Sequence, residues 1–252
     1  MLFDLPHILI LLFGAIAIAV SIVLVCKFVK TDEKKNLALK YFAVATIAIH
    51  LSSLWVDYFS TGSAEADLSM LLPWQPCHLS SWLLCFLALK KNKKDFTFKL
   101  FAEITFYLGT IGGFFGVFLN FAYADNPNLA DWYVMKGFLS HFALIAGSLY
   151  LKFGNFIKIR VNNMLSIFAG FALMFVWGWT VIGLHALFEL DLPNAMSLLE
   201  DLYPSLPWIN PGTIAIAASV ILFAFTSLYE YFTLKPEDRW YKKLKSKTKK
   251  AG

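Results

Sequence analysis

Residues 7–29 read HILILLFGAIAIAVSIVLVCKFV, with Lys27 as the only charged side chain. As a helix this run rises about 35 Å at ~1.5 Å per residue, enough to cross a hydrocarbon layer of about 30 Å. It shows no period-two alternation, and in lipid only helices and closed barrels satisfy the backbone, so an all-α fold follows. The preceding MLFDLP carries no basic residue, whereas a cleavable signal peptide begins with a basic region and ends at a small-residue cleavage site. The run therefore reads as a retained first helix.

Comparable apolar runs recur at about 37–58, 71–89, 98–123, 132–152, 162–187 and 207–234. Hydrophobic residues make up 58% of the 252 positions and charged ones 15%, more apolar side chain than a soluble core of this length hides. The segments between the runs alternate in charge. Lys27, Lys30, Lys34, Lys35 and Lys40 are followed by Glu65 and Asp67, then by Lys90, Lys91, Lys93, Lys94 and Lys99. Asp125 and Asp131 come next, then Lys152, Lys158 and Arg160, then Glu189, Asp191, Glu200 and Asp201, and last a lysine-rich tail. Lys136 alone breaks the pattern.

Basic segments lie on the cytoplasmic side, so the sequence predicts a seven-transmembrane-helix bundle with the N-terminus outside and the C-terminus cytoplasmic. Residues 1–235 form the membrane domain, and 236–252 a polybasic tail placed against anionic lipid headgroups. The expected partners are membrane lipids and not nucleic acid, because the net charge of +5 is distributed among membrane-flanking segments. A plasma-membrane location fits, and the absence of any Asn-x-Ser/Thr acceptor is compatible with a bacterial source. Cys26, Cys77 and Cys85 are odd in number and sit in or beside apolar runs, so free thiols are expected. Gly109, Gly112, Gly113 and Gly116 form small-x-x-x-small pairs that let helices approach closely.

Ionisable groups inside a membrane span are costly and are functional candidates by default. Thr46, His50, Ser53 and Asp57 recur on one helical face of the second run. Leu72-Pro73-Trp74-Gln75-Pro76-Cys77-His78 opens the third run, and Pro76 suits a helix's first turn. Cys77 is then placed among unpaired N–H groups at the positive end of the helix dipole, where a thiolate is favoured. His141 in the fifth run, with His50 at similar depth, is the candidate base for a Cys–His acyl-transfer apparatus. Asn120 ends the fourth run and His185 the sixth, both on the outer side, while Glu103 stands apart near the cytoplasmic side.

A side chain one residue from Cys77 points roughly 100° away, so His78 is not expected to share its target. Each of these residues also has a plain role, a membrane cysteine as a small packing residue and a membrane histidine as an interhelical hydrogen-bond partner. No lysine lies mid-way through residues 207–234, which excludes a retinal protein. The His and Cys spacings lack the paired pattern of a zinc site, so neither metal nor cofactor is expected.

Leu72-Pro73 with Cys77, Phe138-Leu139-Ser140-His141 with the apolar run to Tyr150, Ser197-Leu198-Leu199, and Pro207-Trp208 together carry a resemblance over roughly residues 40–235. The chain resembles the YwaF-like integral membrane family, which is itself similar to the animal transmembrane acyltransferase of ether-lipid remodelling. The resemblance implies a Cys77 acyl acceptor with His141 as its partner. It departs from the pattern at Gln75, where relatives often carry His, at Gly183-Leu184-His185-Ala186, where a Gly-x-Asn-Tyr element is common, and at Met135-Lys136-Gly137. The resulting expectation is a membrane acyltransferase or lipid acyl hydrolase, with His50, Ser53, Asp57, Gln75, Asn120 and His185 as binding groups. The alternative is a small-solute transporter or sensor that depends on histidine and not on Cys77.

Overall fold

The computed structural model describes residues 2–61, 72–73, 75–188, 195–199 and 210–242, excepting the side chains of Ser53, Asp57, Tyr58, Ser60, Thr61 and Phe121. The expected starts of runs at 71 and 207, the acidic segment around Glu65 and most of the basic tail lie outside the described residues. Nine α-helices occur among the described residues: α1 (Leu5–Phe28), α2 (Asp32–His50), α3 (Ser52–Thr61), α4 (Pro76–Leu89), α5 (Phe96–Phe118), α6 (Phe121–Asp125), α7 (Trp132–Phe153), α8 (Leu165–Leu187) and α9 (Pro211–Thr233). No strand occurs among these residues.

Five stretches are long and apolar enough to cross a membrane: α1, residues 96–125 containing α5 and α6, α7, residues 161–187 containing α8, and α9. Their surfaces suit lipid. In α1 only His7, Gly14 and Ile22 are buried, while Leu12, Phe13, Ile16 and Val23 face outward. An apolar exterior is what a bilayer accepts and water does not.

The second expected run differs from its sequence reading in two ways. It starts at Asp32, where Thr31 caps the helix, and it breaks at Leu51 into α2 and α3. At the break the Ser52 hydroxyl donates to the Ile49 carbonyl at 2.6 Å, and Trp132 Nε1 donates to Ser52 Oγ at 3.1 Å. A serine bonded back to the preceding turn competes with the helical ladder. α4 is also short, at 14 residues.

The centre of the bundle is α7, which packs against α1, α2, α4 and α5, with α8 on the far side of α5. Glycines set the α5–α7 approach. A Cβ on Gly109 would strike Ser148 of α7, and one on Gly113 would meet Ile145 at 2.6 Å, so the backbones are in close contact as the small-residue spacing predicted. A larger apolar core of Leu39, Leu84, Leu87, Phe98, Tyr150, Leu151 and Ile167 fills one end of the bundle. A smaller cluster of Val117, Tyr123, Val134, Phe138 and Ile145 fills the other.

His7 belongs to this scaffold. Its Nδ1 accepts from Phe3 N at 2.8 Å, so Nε2 carries the proton and donates to Val117 O at 3.0 Å. Asp4 caps α1 and accepts the Tyr123 hydroxyl at 2.6 Å, tying the start of α1 to α6. At the opposite end Glu230 of α9 is buried and accepts the backbone N–H groups of Val161 at 2.8 Å and Trp240 at 3.0 Å.

Candidate functional site

Pro76 begins α4, and Gln75 at its N-cap makes no side-chain capping bond. Leu79 N donates to Gln75 O, so the first-turn N–H groups before it have no helical acceptor. The Cys77 thiol donates to Gln75 Oε1 at 3.6 Å. The helix start at Pro76 thus places Cys77 in the first turn of α4.

His141 lies mid-way along α7. Its Nδ1 is 2.6 Å from the carbonyl of Gly137, which can only accept, so Nδ1 carries the proton and Nε2 is left as the basic nitrogen. The Nε2 edge of the ring rests on Gly116 of α5, where any Cβ would collide with it. One turn earlier on α5, a Cβ on Gly112 would touch the Cys77 backbone at 3.9 Å. Cys77 and His141 are therefore seated on successive turns of one glycine face, separated by a rise of about 6 Å along α5.

Both residues open onto a cavity of about 980 Å³, which also reaches His50, Gln75, His78, Asn120, Tyr133 and Lys136. Leu108, Ile111, Phe115, Leu144, Phe171, Met174 and Phe175 make most of its wall apolar. The His50 and His78 rings are 4.1 Å apart between centroids. His78, expected to point away from Cys77, thus lines the same cavity from beside His50. His50 is 4% exposed, and its Nε2 has no hydrogen-bond partner among the described residues.

The remaining sequence candidates separate. The side chains of Ser53 and Asp57 lie outside the described residues. His185 is buried near the end of α8 and is not among the residues lining the cavity. Glu103 accepts from Asn163 Nδ2 at 2.5 Å, away from the cavity as expected. Cys26, Cys77 and Cys85 are all free thiols. No three His, Cys, Asp or Glu side chains among the described residues converge as metal ligands.

With this geometry in view, comparison with known families is informative. The TMEM164 family model matches residues 2–230. The chain belongs to the TMEM164 family. TMEM164 is the animal transmembrane family, and the match runs from before α1 to near the end of α9, whereas the sequence resemblance extended only from about residue 40. The YwaF-like label has no counterpart in these findings. No curated protein and no solved structure matches the chain. For a TMEM164 family member, then, the reading of the site rests on the residues themselves.

Two features of the site were missed by reading the sequence. Gly116, scored there for packing, makes room for the His141 ring. Lys136, noted only as a break in charge alternation, is a wall residue of the cavity.

Proposed function

We propose that this chain is a membrane-embedded acyltransferase or lipid acyl hydrolase, with Cys77 as nucleophile and His141 as general base and acid. The observation that carries it is the seating of Cys77 and His141 on one glycine face of α5, both open to one cavity with an apolar wall. His141 Nε2 takes the thiol proton as sulfur attacks the acyl ester carbonyl. The oxyanion is assigned to the first-turn N–H groups of α4, which have no helical acceptor at a helix begun by Pro76. Collapse of the tetrahedral intermediate breaks the ester C–O bond, and His141 returns its proton to the departing alkoxide. An acceptor alcohol, or water, then gives its proton to His141 and attacks the thioester, and the thiol leaves reprotonated.

In this chain Gln75 Oε1 holds the resting thiol, so rotation about the Cys77 Cα–Cβ bond precedes attack. Resting catalytic bonds are commonly looser than those in the reacting complex.

The same proposal includes seven crossings with the N-terminus outside and the C-terminus cytoplasmic, in a plasma membrane. Support comes from five long apolar helices and the alternating charge, with α2 plus α3 and α4 as the two further crossings. α4 is about 21 Å long against a hydrocarbon layer of about 30 Å, and with Lys90 and Lys91 anchoring its C-terminal end at the cytoplasmic face this supports a depth for Cys77 within the membrane.

The test is acyl release and transfer from a labelled phospholipid by the purified chain. Cys77→Ala is expected to abolish covalent acyl capture, and His141→Ala to slow it by at least about 100-fold, the typical worth of general acid–base catalysis. Full turnover by Cys77→Ala would refute the mechanism. The rival solute-binding reading is favoured by His50 Nε2, which has no partner among the described residues, and it predicts dependence on His50 and His141 with indifference to Cys77.

A further inference from the structure

We infer that the cavity is a blind pocket that measures acyl chains, and that Leu108 of α5, seated on Gly170 of α8, is the residue that limits their length. The inference rests on the reading of the cavity as an acyl-transfer site and names a specificity-determining residue for it.

Towards the start of α5 the cavity stops at one level on five helices. Its last lining residues there are Ser81 on α4, Leu108 on α5, Leu144 on α7, Phe171 on α8 and Ala218 on α9. One helical turn further, Leu84, Ile104, Ile167 and Leu222 are buried and none of them lines the cavity. These side chains close the pocket at that end.

The floor is held firmly. A Cβ on Gly170 would approach Leu108 Cδ1 to 3.0 Å and Ile104 Cγ2 to 3.2 Å, and one on Gly109 would approach Leu144 Cδ1 to 3.3 Å. Leu108 and Leu144 are thus packed directly against the backbone of neighbouring helices, and close-packed side chains yield little. The floor is also apolar. Of its five residues only Ser81 carries a polar side chain, and that hydroxyl is committed to donating to Cys77 O at 2.9 Å. Such a surface accepts the hydrocarbon end of a ligand and offers nothing to a polar one.

Depth then sets a limit. Leu108 lies four residues before Gly112, which touches Cys77, and eight before Gly116, which carries the His141 ring, so roughly 6 Å and 12 Å along α5. An acyl chain that runs along α5 from the Cys77 sulfur meets Leu108 within that distance, so short chains fit end-on and long ones are stopped.

The test uses the full chain in neutral detergent with alkyl methanethiosulfonates carrying methyl, butyl, octyl or dodecyl groups. The thiolate attacks the sulfenyl sulfur, a disulfide forms and methanesulfinate leaves, so labelling needs the cavity but no acyl transfer. The rate at the Cys77 peptide, read by mass spectrometry, is divided by that at Cys26, a partly exposed thiol of α1 outside the cavity lining. The ratio is expected to hold or rise from methyl to butyl and to fall at least about tenfold by dodecyl. Leu108→Ala should bring dodecyl within about twofold of butyl, and Leu108→Val should act in the same direction by less. Gly170→Ala, whose added methyl pushes Leu108 into the pocket, should move the limit to shorter chains. Leu108→Met, a volume-conserving change, should leave it in place. A ratio that does not fall with length in the unaltered chain would overturn the inference. So would a limit unmoved in each of the Leu108→Ala, Leu108→Val and Gly170→Ala chains that folds, or a Cys77 that even the methyl reagent fails to label. Absence of acyl release from a chain that keeps the length limit sinks the acyl-transfer mechanism alone, and acyl release without a length limit sinks the floor alone.

Discussion

Gly116 has its importance through what it lacks. Its missing side chain is the space in which the His141 imidazole sits, so Gly116→Ala must push that ring aside. The expected stability cost is about 1–3 kcal/mol, typical of overpacking, together with a loss of acyl release comparable to that of His141→Ala. Gly112→Ala is the control, because its Cβ makes only ordinary contact with the Cys77 backbone at 3.9 Å. Thermal unfolding and acyl release measured on both variants check the contrast. At this scale the sequence was informative about chemistry and silent about neighbours. Cys77, His141, His50, Gln75 and Asn120 stand out because polar groups in apolar runs are unusual, and the structure brings all five to one cavity. That His78 would turn onto His50 depends on the α2–α4 contact, which no local pattern encodes.

At the level of the helix, caps and breaks decide where side chains stand. Asp95 caps α5 by accepting Phe98 N and pairs with Lys90 at 2.9 Å, and the Phe98 bond followed by the lysine holds its carboxyl below the usual range. A lowered folded pKa means that the stabilisation exists above the unfolded value of about 3.9 and disappears as pH falls through the folded value. Asp95→Ala should therefore melt below the unaltered chain at about pH 7 and converge with it as pH falls below the ordinary carboxylate value of about 3.9. Thermal unfolding followed across pH checks this. The α4 start was legible because Pro76 has only one comfortable place in a helix. The α2–α3 break was not, since it depends on a serine side chain bonded to both the preceding turn and a distant tryptophan.

For the molecule as a whole, composition and charge alternation carry the all-helical membrane architecture, and the five long apolar stretches agree with it. The other two expected crossings are the least regular. α2 begins with four charged residues in a row, and α4 is short, so their fit depends on neighbouring helices more than on their own hydropathy. An epitope inserted after Ala66 discriminates the topologies. Seven crossings place it outside, accessible to antibody in intact cells, and five crossings place it in the cytoplasm.

The 14 residues of α4 are fewer than the roughly 20 that span a typical bilayer. As one of the crossings proposed above, α4 requires the lipid beside it to thin, or its flanking side chains to snorkel, to avoid exposing polar backbone. The reach of headgroups and water towards Cys77 is thus shared between protein and lipid, and reconstitution in longer-chain lipids is expected to bury the thiol further and slow its alkylation. The host membrane, by its thickness, becomes a control on the site.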